Sequence, residues 1–305
     1  MNKNNTKLGI GWRPEIAVAI ERRKDLDFVE VLFENFLGKG IPQALLNLRE
    51  RGITVIPHAV SMSLGGAERP DARKLSQFNQ LAIALDAPFV SEHIAFVRAG
   101  GKDSGHLLPV PRTKSALKVL VENIQIARER LTVPLVLENI AMLCDWKNSE
   151  MDEAEFITEV LERSGCLMLL DVANLYANSL NHNFDAIQFL KRLPLDKIAY
   201  VHTAGGVLTK GIYHDTHAHP IVDDVHSLLA ELMKLNAPPR VMLERDDNFP
   251  NEETLNAELD AISVILKASD DGALARAERN TVSVSLDESS MLPTSVRNFV
   301  APAIR

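Results

Sequence analysis

Residues 134–140 read PLVLENI: a proline, three apolar residues, then a carboxylate and an amide before the chain turns polar. An apolar run this short and continuous suits a strand buried on both faces, as strands of parallel sheets are. Pro134 is tolerated at the head of such a strand, where no ladder donor is needed. The next periodic stretch, 152–164, opens with Asp152 and places Glu155 three residues later, the capping-box pattern of a helix start. Strand, loop and helix in that order make one unit of a parallel α/β fold.

The unit recurs along the whole chain. KLGIGWR (7–13) precedes a helical pattern over 14–24 with Pro14 in its first turn, DFVEVLFEN (27–35) precedes 41–52, TVIPHAV (54–60) precedes 71–85, and FVSEHIAF (89–96) precedes 113–130. After the central unit come LMLLDVANL (167–175) with 185–192, KIAYVHTAG (197–205) with 222–236, and RVMLERD (240–246) with 252–268. Eight such units are most economically closed as an α/β (β/α)8 TIM barrel; a doubly wound open sheet is the alternative. Residues 1–268 therefore form the barrel domain. Residues 269–305 lose the apolar period and gain Ser, Asp and Pro, which marks a C-terminal extension outside it.

Composition narrows the function classes. A chain of 305 residues with 46% hydrophobic content buries a large core, and a formal charge of −8 without a basic stripe argues against nucleic acid as a partner. Cys144 and Cys166 are the only cysteines and have no metal-binding spacing, so they are expected to be free packing thiols in a reducing compartment. No apolar run is long enough for a signal or a membrane span, which points to a cytoplasmic protein without membrane contact.

In a barrel of this kind chemistry sits at the C-terminal strand ends and the following loops. His58, Glu92, His93, Glu138, Asp171, Asn174, His202 and Glu244 all fall there. GIYHDTHAHPI (211–221), after the seventh strand, crowds three of the chain's nine histidines beside Asp215 and brings Asp215 and His217 to the same mouth. Burying so many charges uncompensated costs several kcal/mol apiece, and cations offset that cost. Imidazole and carboxylate donors without paired thiolates suit Fe, Mn or Zn, and this many donors exceed what one ion uses, so two or three metals are expected. His214 and His219 are less securely placed, His106 is open, and His226, within a helix, is expected to be structural. His182 either orients substrate or closes a turn. Glu34 and Asn35, at the mouth, are expected to support the ligands in preference to Glu30, deeper in the second strand. Arg13 and Arg245 pair either with a substrate carboxylate or with a ligand carboxylate.

The motifs FVEVLFENF, HAVSMSLG, SEHIAF, LLPVPRT, LVLENI, LLDVANLYANSLNHNFD, VHTAGG, DTHAHPI and LERDDNFP, in this order, resemble the multinuclear non-haem iron-dependent oxidative enzymes, a family that includes the methanobactin biosynthesis oxidase. The resemblance runs from GIGWRPE through ERDDNFP. It implies iron ligation by His58, His93, Glu138, Asp171, Asn174, His202, Asp215, His217 and Glu244, two or three irons, and dioxygen as co-substrate. It further implies a cysteine-containing ribosomally made precursor peptide as substrate and a separate leader-binding protein as partner. His182 and His219 are the candidates for acid–base help. Two departures are visible: Gly206 stands where many relatives have His, and HAV replaces the common HGV at the third strand. Divalent-metal barrels also serve as sugar isomerases and phosphodiester endonucleases, and these remain the alternatives. The endonuclease wants a basic groove, which this acidic chain lacks. A non-catalytic metal-dependent scaffold ranks last, since it leaves open coordination positions without a purpose.

Overall fold

Apolar runs with no polar face have no side to give to water, so they close on one another. The computed structural model describes residues 6–268. The eight runs form parallel strands β1 (Lys7–Gly11), β2 (Phe28–Leu32), β3 (Thr54–Ala59), β4 (Val90–His93), β5 (Leu135–Glu138), β6 (Leu167–Asp171), β7 (Ile198–Thr203) and β8 (Arg240–Leu243). Each pairs with the next, and β1 pairs with β8 through Lys7↔Arg240 and Gly9↔Met242, which closes the barrel and removes the open-sheet alternative. Around it lie α1 (Ala17–Arg22), α2 (Gln43–Glu50), α3 (Ala72–Ala84), α4 (Lys114–Arg128), α5 (Glu153–Ser164), α6 (Val172–His182), α7 (Ala186–Leu190), α8 (Asp223–Leu235) and a ninth helix over 252–268. The extension expected at 269–305 lies outside the described residues.

The barrel interior is layered by the two-residue period of a strand. Phe28, Ile56, Phe89, Val136, Leu169, Tyr200 and Met242 form, with Ala199, a buried plug. Two residues further along the same strands come Glu30, His58, Ser91, Glu138, Asp171, His202 and Glu244, all buried. The plug is the floor and the polar ring is the layer above it. β1 contributes no side chain to the floor: a Cβ on Gly9 would lie 2.4 Å from the Phe28 ring, so the missing side chain is the space that Phe28 fills.

Three local structures differ from the sequence reading. The run at 167–175 is not all strand. Asp171 ends β6 and accepts a hydrogen bond from Asn174 N at 2.8 Å, so α6 starts at once without a loop. Val172, Ala173 and Leu175 are buried in the helix, so apolarity alone did not mark the switch. Between FVSEHIAF and the helix over 113–130 the chain around His106 forms a hairpin, Ala95–Ala99 with Lys102–Pro109, turned by Gly100 and Gly101 with φ of 60° and 73°. A second hairpin, Val207–Thr209 with Ile212–His214, turns on Lys210 and Gly211 with φ of 52° and 80°. The signals that held are Pro14 in the first turn of a short 3-10 segment and Asp152 capping α5 through Glu155 N at 3.0 Å.

Replacing Gly9 with Ala should lower stability by about 1–3 kcal/mol, the usual cost of overpacking a tight core. Adding Phe28→Leu should recover part of it. Urea denaturation measures both; a Gly9→Ala protein as stable as its parent would show that the floor is loosely filled.

Candidate metal centre

The strand ends converge on Glu138. Its Oε2 lies 3.5 Å from His58 Nε2 and 3.2 Å from His93 Nε2, while Oε1 lies 3.4 Å from His202 Nδ1. His202 Nδ1 is in turn 2.9 Å from Glu244 Oε2 and 4.0 Å from Asp171 Oδ2. From the loop after the second hairpin, His217 brings Nδ1 to 3.4 Å from Glu244 Oε2 and Nε2 to 2.6 Å from Asp215 Oδ2. Three overlapping groups gather donor atoms within 4.8 Å of one another: His58, His93 and Glu138; Glu138, Asp171 and His202; Asp171, His217 and Glu244. A fourth contains Glu30, His202 and Glu244.

These atoms are near one another without being satisfied. Among the described residues, Glu138 Oε2, Asp171 Oδ2 and Asp215 Oδ1 are buried and have no hydrogen-bond partner. A buried polar atom left unpaired costs roughly 1–3 kcal/mol, and several facing one small volume fit cation ligands. The electrostatics agree. Burial opposes charge on His93, yet Glu138 and Glu92 outweigh it and lift the ring to about 9. His202 and His217 are also raised against burial, by Glu30, Glu244 and Glu138 in the first case and Asp215 and Glu244 in the second. Burial, then Asp215 and Glu138, push the Asp171 carboxyl well above its ordinary range, whereas His217, His202 and Arg13 overcome burial to hold Glu244 well below. His58 is the exception: burial dominates and drives it down to about 3, so it stays a neutral donor. The pocket has an excess of negative charge that a multinuclear cation cluster would balance.

Each imidazole is held from behind, which leaves the other nitrogen for the centre. His58 Nδ1 meets Ser91 Oγ at 2.8 Å, and His202 Nε2 meets Glu30 Oε2 at 2.9 Å. His93 Nδ1 faces Glu92 Oε1 at 3.3 Å, and Glu92 is itself fixed by the amides of His93 and Met62. The sequence reading preferred Glu34 and Asn35 to Glu30 as supports; this is corrected. Glu34 accepts from Val60 N and Ser61 Oγ and shapes the loop after β3, whereas Glu30 points inward because it stands two residues after Phe28 on the same strand face. Asn139 is a support the sequence reading missed. Its Oδ1 accepts from Asp171 N at 2.9 Å, its Nδ2 donates to Asp171 O at 3.0 Å, and its carbonyl accepts from Asn174 Nδ2 at 3.0 Å. One residue thus ties Glu138 to Asp171 and Asn174. The signal was its place beside Glu138 in PLVLENI.

The remaining candidates separate cleanly. His217 has φ 51°, a left-handed backbone uncommon for histidine, and its carbonyl accepts from Asp246 N at 2.9 Å. His219 Nδ1 is 2.8 Å from Thr216 Oγ1 in the same loop. His182, at the end of α6, places Nε2 2.8 Å from Met142 O and lines a cavity of about 290 Å³ with Arg112, Asp145 and Glu153. His214 closes the second hairpin opposite Val207, His106 is exposed on the first, and His226 lies on α8; none belongs to the four groups. Arg13 binds Asp246 through Nε at 2.9 Å and approaches Glu244 at 3.7 Å, so it neutralises a ligand carboxylate. Arg245 instead pairs with Glu258 of the ninth helix and takes no part in the site. Cys166 is buried as expected, but Cys144 is exposed and is no packing residue. At Gly206 a Cβ would lie 2.3 Å from His214 O, so this hairpin packs where a side chain would otherwise stand. A groove of about 510 Å³, lined by Trp12, Arg13, Leu32, Phe36, Asp246 and Phe249, connects to the centre through Arg13, which approaches Glu244, and Asp246, which meets His217.

A closed parallel barrel whose strand ends deliver buried, unsatisfied imidazoles and carboxylates defines a metal-dependent barrel enzyme. The chain belongs to the family described as RiPP precursor modification enzyme MbnB/TglH/ChrH, which matches residues 7–267. A UPF0276 protein of Streptomyces avermitilis is 50% identical over 266 residues, which cover 85% of this chain and 55% of that protein, so the chain spans about half its length. A UPF0276 protein of Caulobacter vibrioides is 36% identical over 270 residues, 88% of this chain and 96% of its own. Among solved structures, 3-keto-D-glucoside 4-epimerase YcjR from E. coli superposes with a TM-score of 0.55 at 14% identity, over 85% of this chain and 98% of that one. The IOLI protein with a bound zinc atom gives 0.54 at 16% identity, over 88% and 99%. These two share the fold.

Metal must displace protons held by His93, raised to about 9, and by His202 and His217, which are also raised. Binding should therefore release protons near neutrality, and affinity should rise with pH from about 7 to 9. Calorimetry in buffers of different ionisation enthalpy reads the release; affinity flat over that range would remove His93 from the ligands.

Proposed function

We propose that this protein is an iron- and dioxygen-dependent oxidase that modifies a cysteine of a ribosomally made precursor peptide. The observation that carries the reading is Glu138, whose two oxygens face two different donor groups, as a carboxylate bridging two ions must. Two or three irons would be held by His58, His93, Glu138, Asp171, Asn174, His202, Asp215, His217 and Glu244. Iron held there would mediate the transfer of electrons to dioxygen, with the oxidised peptide cysteine as their net source. The family description, precursor modification, supports a peptide substrate.

The chain's own residues supply the rest. The groove beside Glu244 takes the peptide, with Trp12, Phe36 and Phe249 excluding water around the reacting residue and Asp246 holding Arg13 flat against its wall. His219, engaged through Nδ1, offers Nε2 for proton transfer; His182, the other candidate, stands on the separate cavity lined by Arg112, Asp145 and Glu153, where Nε2 meets Met142 O. Among the described residues no helix is long and apolar enough to cross a membrane. A leader-binding protein, a cytoplasmic setting, a catalytic unit at 1–268 and a peripheral role for 269–305 belong to the same proposal.

Protein expressed with added iron should carry more than one iron per chain, and Glu138→Ala should lose metal while keeping its fold by circular dichroism. A cognate peptide should change mass only with ferrous iron and dioxygen both present, and its Cys→Ser version should not react. Equal turnover without oxygen, or stoichiometric zinc with negligible iron, would end the oxidase reading and restore a metal-dependent isomerase.

A further inference from the structure

A continuous hydrogen-bonded chain runs beneath the centre and joins two of its histidines. His58 Nδ1 is 2.8 Å from Ser91 Oγ, Ser91 Oγ is 2.5 Å from Tyr200 Oη, Tyr200 Oη is 2.7 Å from Glu30 Oε2, and Glu30 Oε2 is 2.9 Å from His202 Nε2. All five side chains are at most 1% exposed, so no solvent competes. Tyr200 belongs by position to the apolar floor, yet it is the one floor residue with a hydroxyl, and that hydroxyl reaches up into the ring.

The proton inventory gives the chain a direction. Glu30 Oε2 has two neighbours at hydrogen-bond distance and accepts from both. Tyr200 therefore gives its single proton to Glu30. Ser91 must then donate to Tyr200 Oη, which uses its only proton, so Ser91 accepts from His58 Nδ1–H. At the other end His202 donates from Nε2. Once a metal replaces the second proton of His202, both rings present a lone pair on the nitrogen facing Glu138: His58 Nε2 at 3.5 Å from one oxygen and His202 Nδ1 at 3.4 Å from the other.

We propose that Ser91, Tyr200 and Glu30 act as one buried relay that fixes the tautomers of His58 and His202 together, making Tyr200 a positioning residue for the metal group of His58, His93 and Glu138 although it stands two hydrogen bonds from His58. The inference rests on the reading of His58 and His202 as ligands, but not on iron or on dioxygen. Losing the tyrosine hydroxyl has an asymmetric consequence. Ser91 is left without its acceptor and turns its proton toward His58 Nδ1, which moves the ring proton to Nε2 and blocks the metal-facing nitrogen. His202 keeps Glu30, and His93 keeps Glu92.

The test uses the full chain, stripped with chelator and titrated with zinc alone, a diamagnetic probe that permits nitrogen-15 NMR of the histidines. In the zinc-loaded parent, His58 should carry its proton on Nδ1 and His202 on Nε2. In Tyr200→Phe, His58 should shift toward the Nε2–H form and one zinc site should weaken about 10–100-fold, the usual effect of losing a ligand's support, while the His202 and His93 signals and the other zinc site hold. Ser91→Ala should weaken the same single site, and it decides the matter if Tyr200→Phe does not fold. An unchanged His58 tautomer in the folded variants, or equal weakening of both sites, overturns the relay. Failure of the oxidase reading would instead appear as the absence of oxygen-dependent peptide modification, with these zinc and NMR results intact.

Discussion

The alternation of side chains along a strand is the constraint from which the site follows. Once Phe28, Ile56, Phe89, Val136, Leu169, Tyr200 and Met242 fill the floor of the barrel, the next inward positions are fixed, and they carry Glu30, His58, Ser91, Glu138, Asp171, His202 and Glu244. A slip of one residue in any strand would turn its ligand out of the barrel. The floor therefore acts as a register gauge: apolar volume below sets which polar atoms meet above. Gly9 is part of that gauge, because β1 yields its floor position to the Phe28 ring.

A polar ring so deeply buried is costly unless its charges are matched. Within the protein the matching is partial. Arg13 reaches Glu244 and Asp246, and Asp246 in turn meets His217 Nδ1 at 3.0 Å, which ties the first strand, the last strand and the loop after the seventh into one charged contact. Among the described residues no cationic side chain is paired with Glu138 or Asp171 other than imidazole, and imidazole carries charge only by taking a proton that a metal would replace. The same groups are thus proton-bound in one state and metal-bound in the other, so metal affinity and pH are linked through the ring itself.

Much of this was legible in the sequence, and the failures have physical causes. Eight apolar runs with intervening helices sufficed for the barrel, because parallel strands buried on both faces leave few other solutions. His58, His93, Glu138, His202 and Glu244 could be placed at the mouth from strand ends alone. Asp171 was placed correctly within an element that was misjudged, since a strand entering a helix with no loop leaves no break in hydrophobicity. Both hairpins were overlooked although Gly100–Gly101 and Lys210–Gly211 are fitting turn pairs, because they interrupt a pattern already explained by βα units. Glu30, Ser91 and Tyr200 escaped for a different reason. Their role lies in contacts between strands far apart in sequence, and no local pattern encodes which hydroxyl meets which ring.

The donor groups also differ in how firmly they are held, which bears on how the centre is built. His58, His93, Glu138 and His202 stand on barrel strands, with each ring supported from behind, so their geometry is set by the same packing that sets the fold. Asp215 and His217 come from a loop, and His217 takes a left-handed backbone that an ordinary loop would relax. What opposes that relaxation is the bond from Asp246 N to the His217 carbonyl and the contacts of His217 with Asp215, Asp246 and Glu244. A cation shared by Asp171, His217 and Glu244 would add to those contacts and offset part of the strain. The strand-borne groups are therefore set by the packing of the barrel, and the loop-borne group by the local contacts of His217 with Asp215 and Asp246.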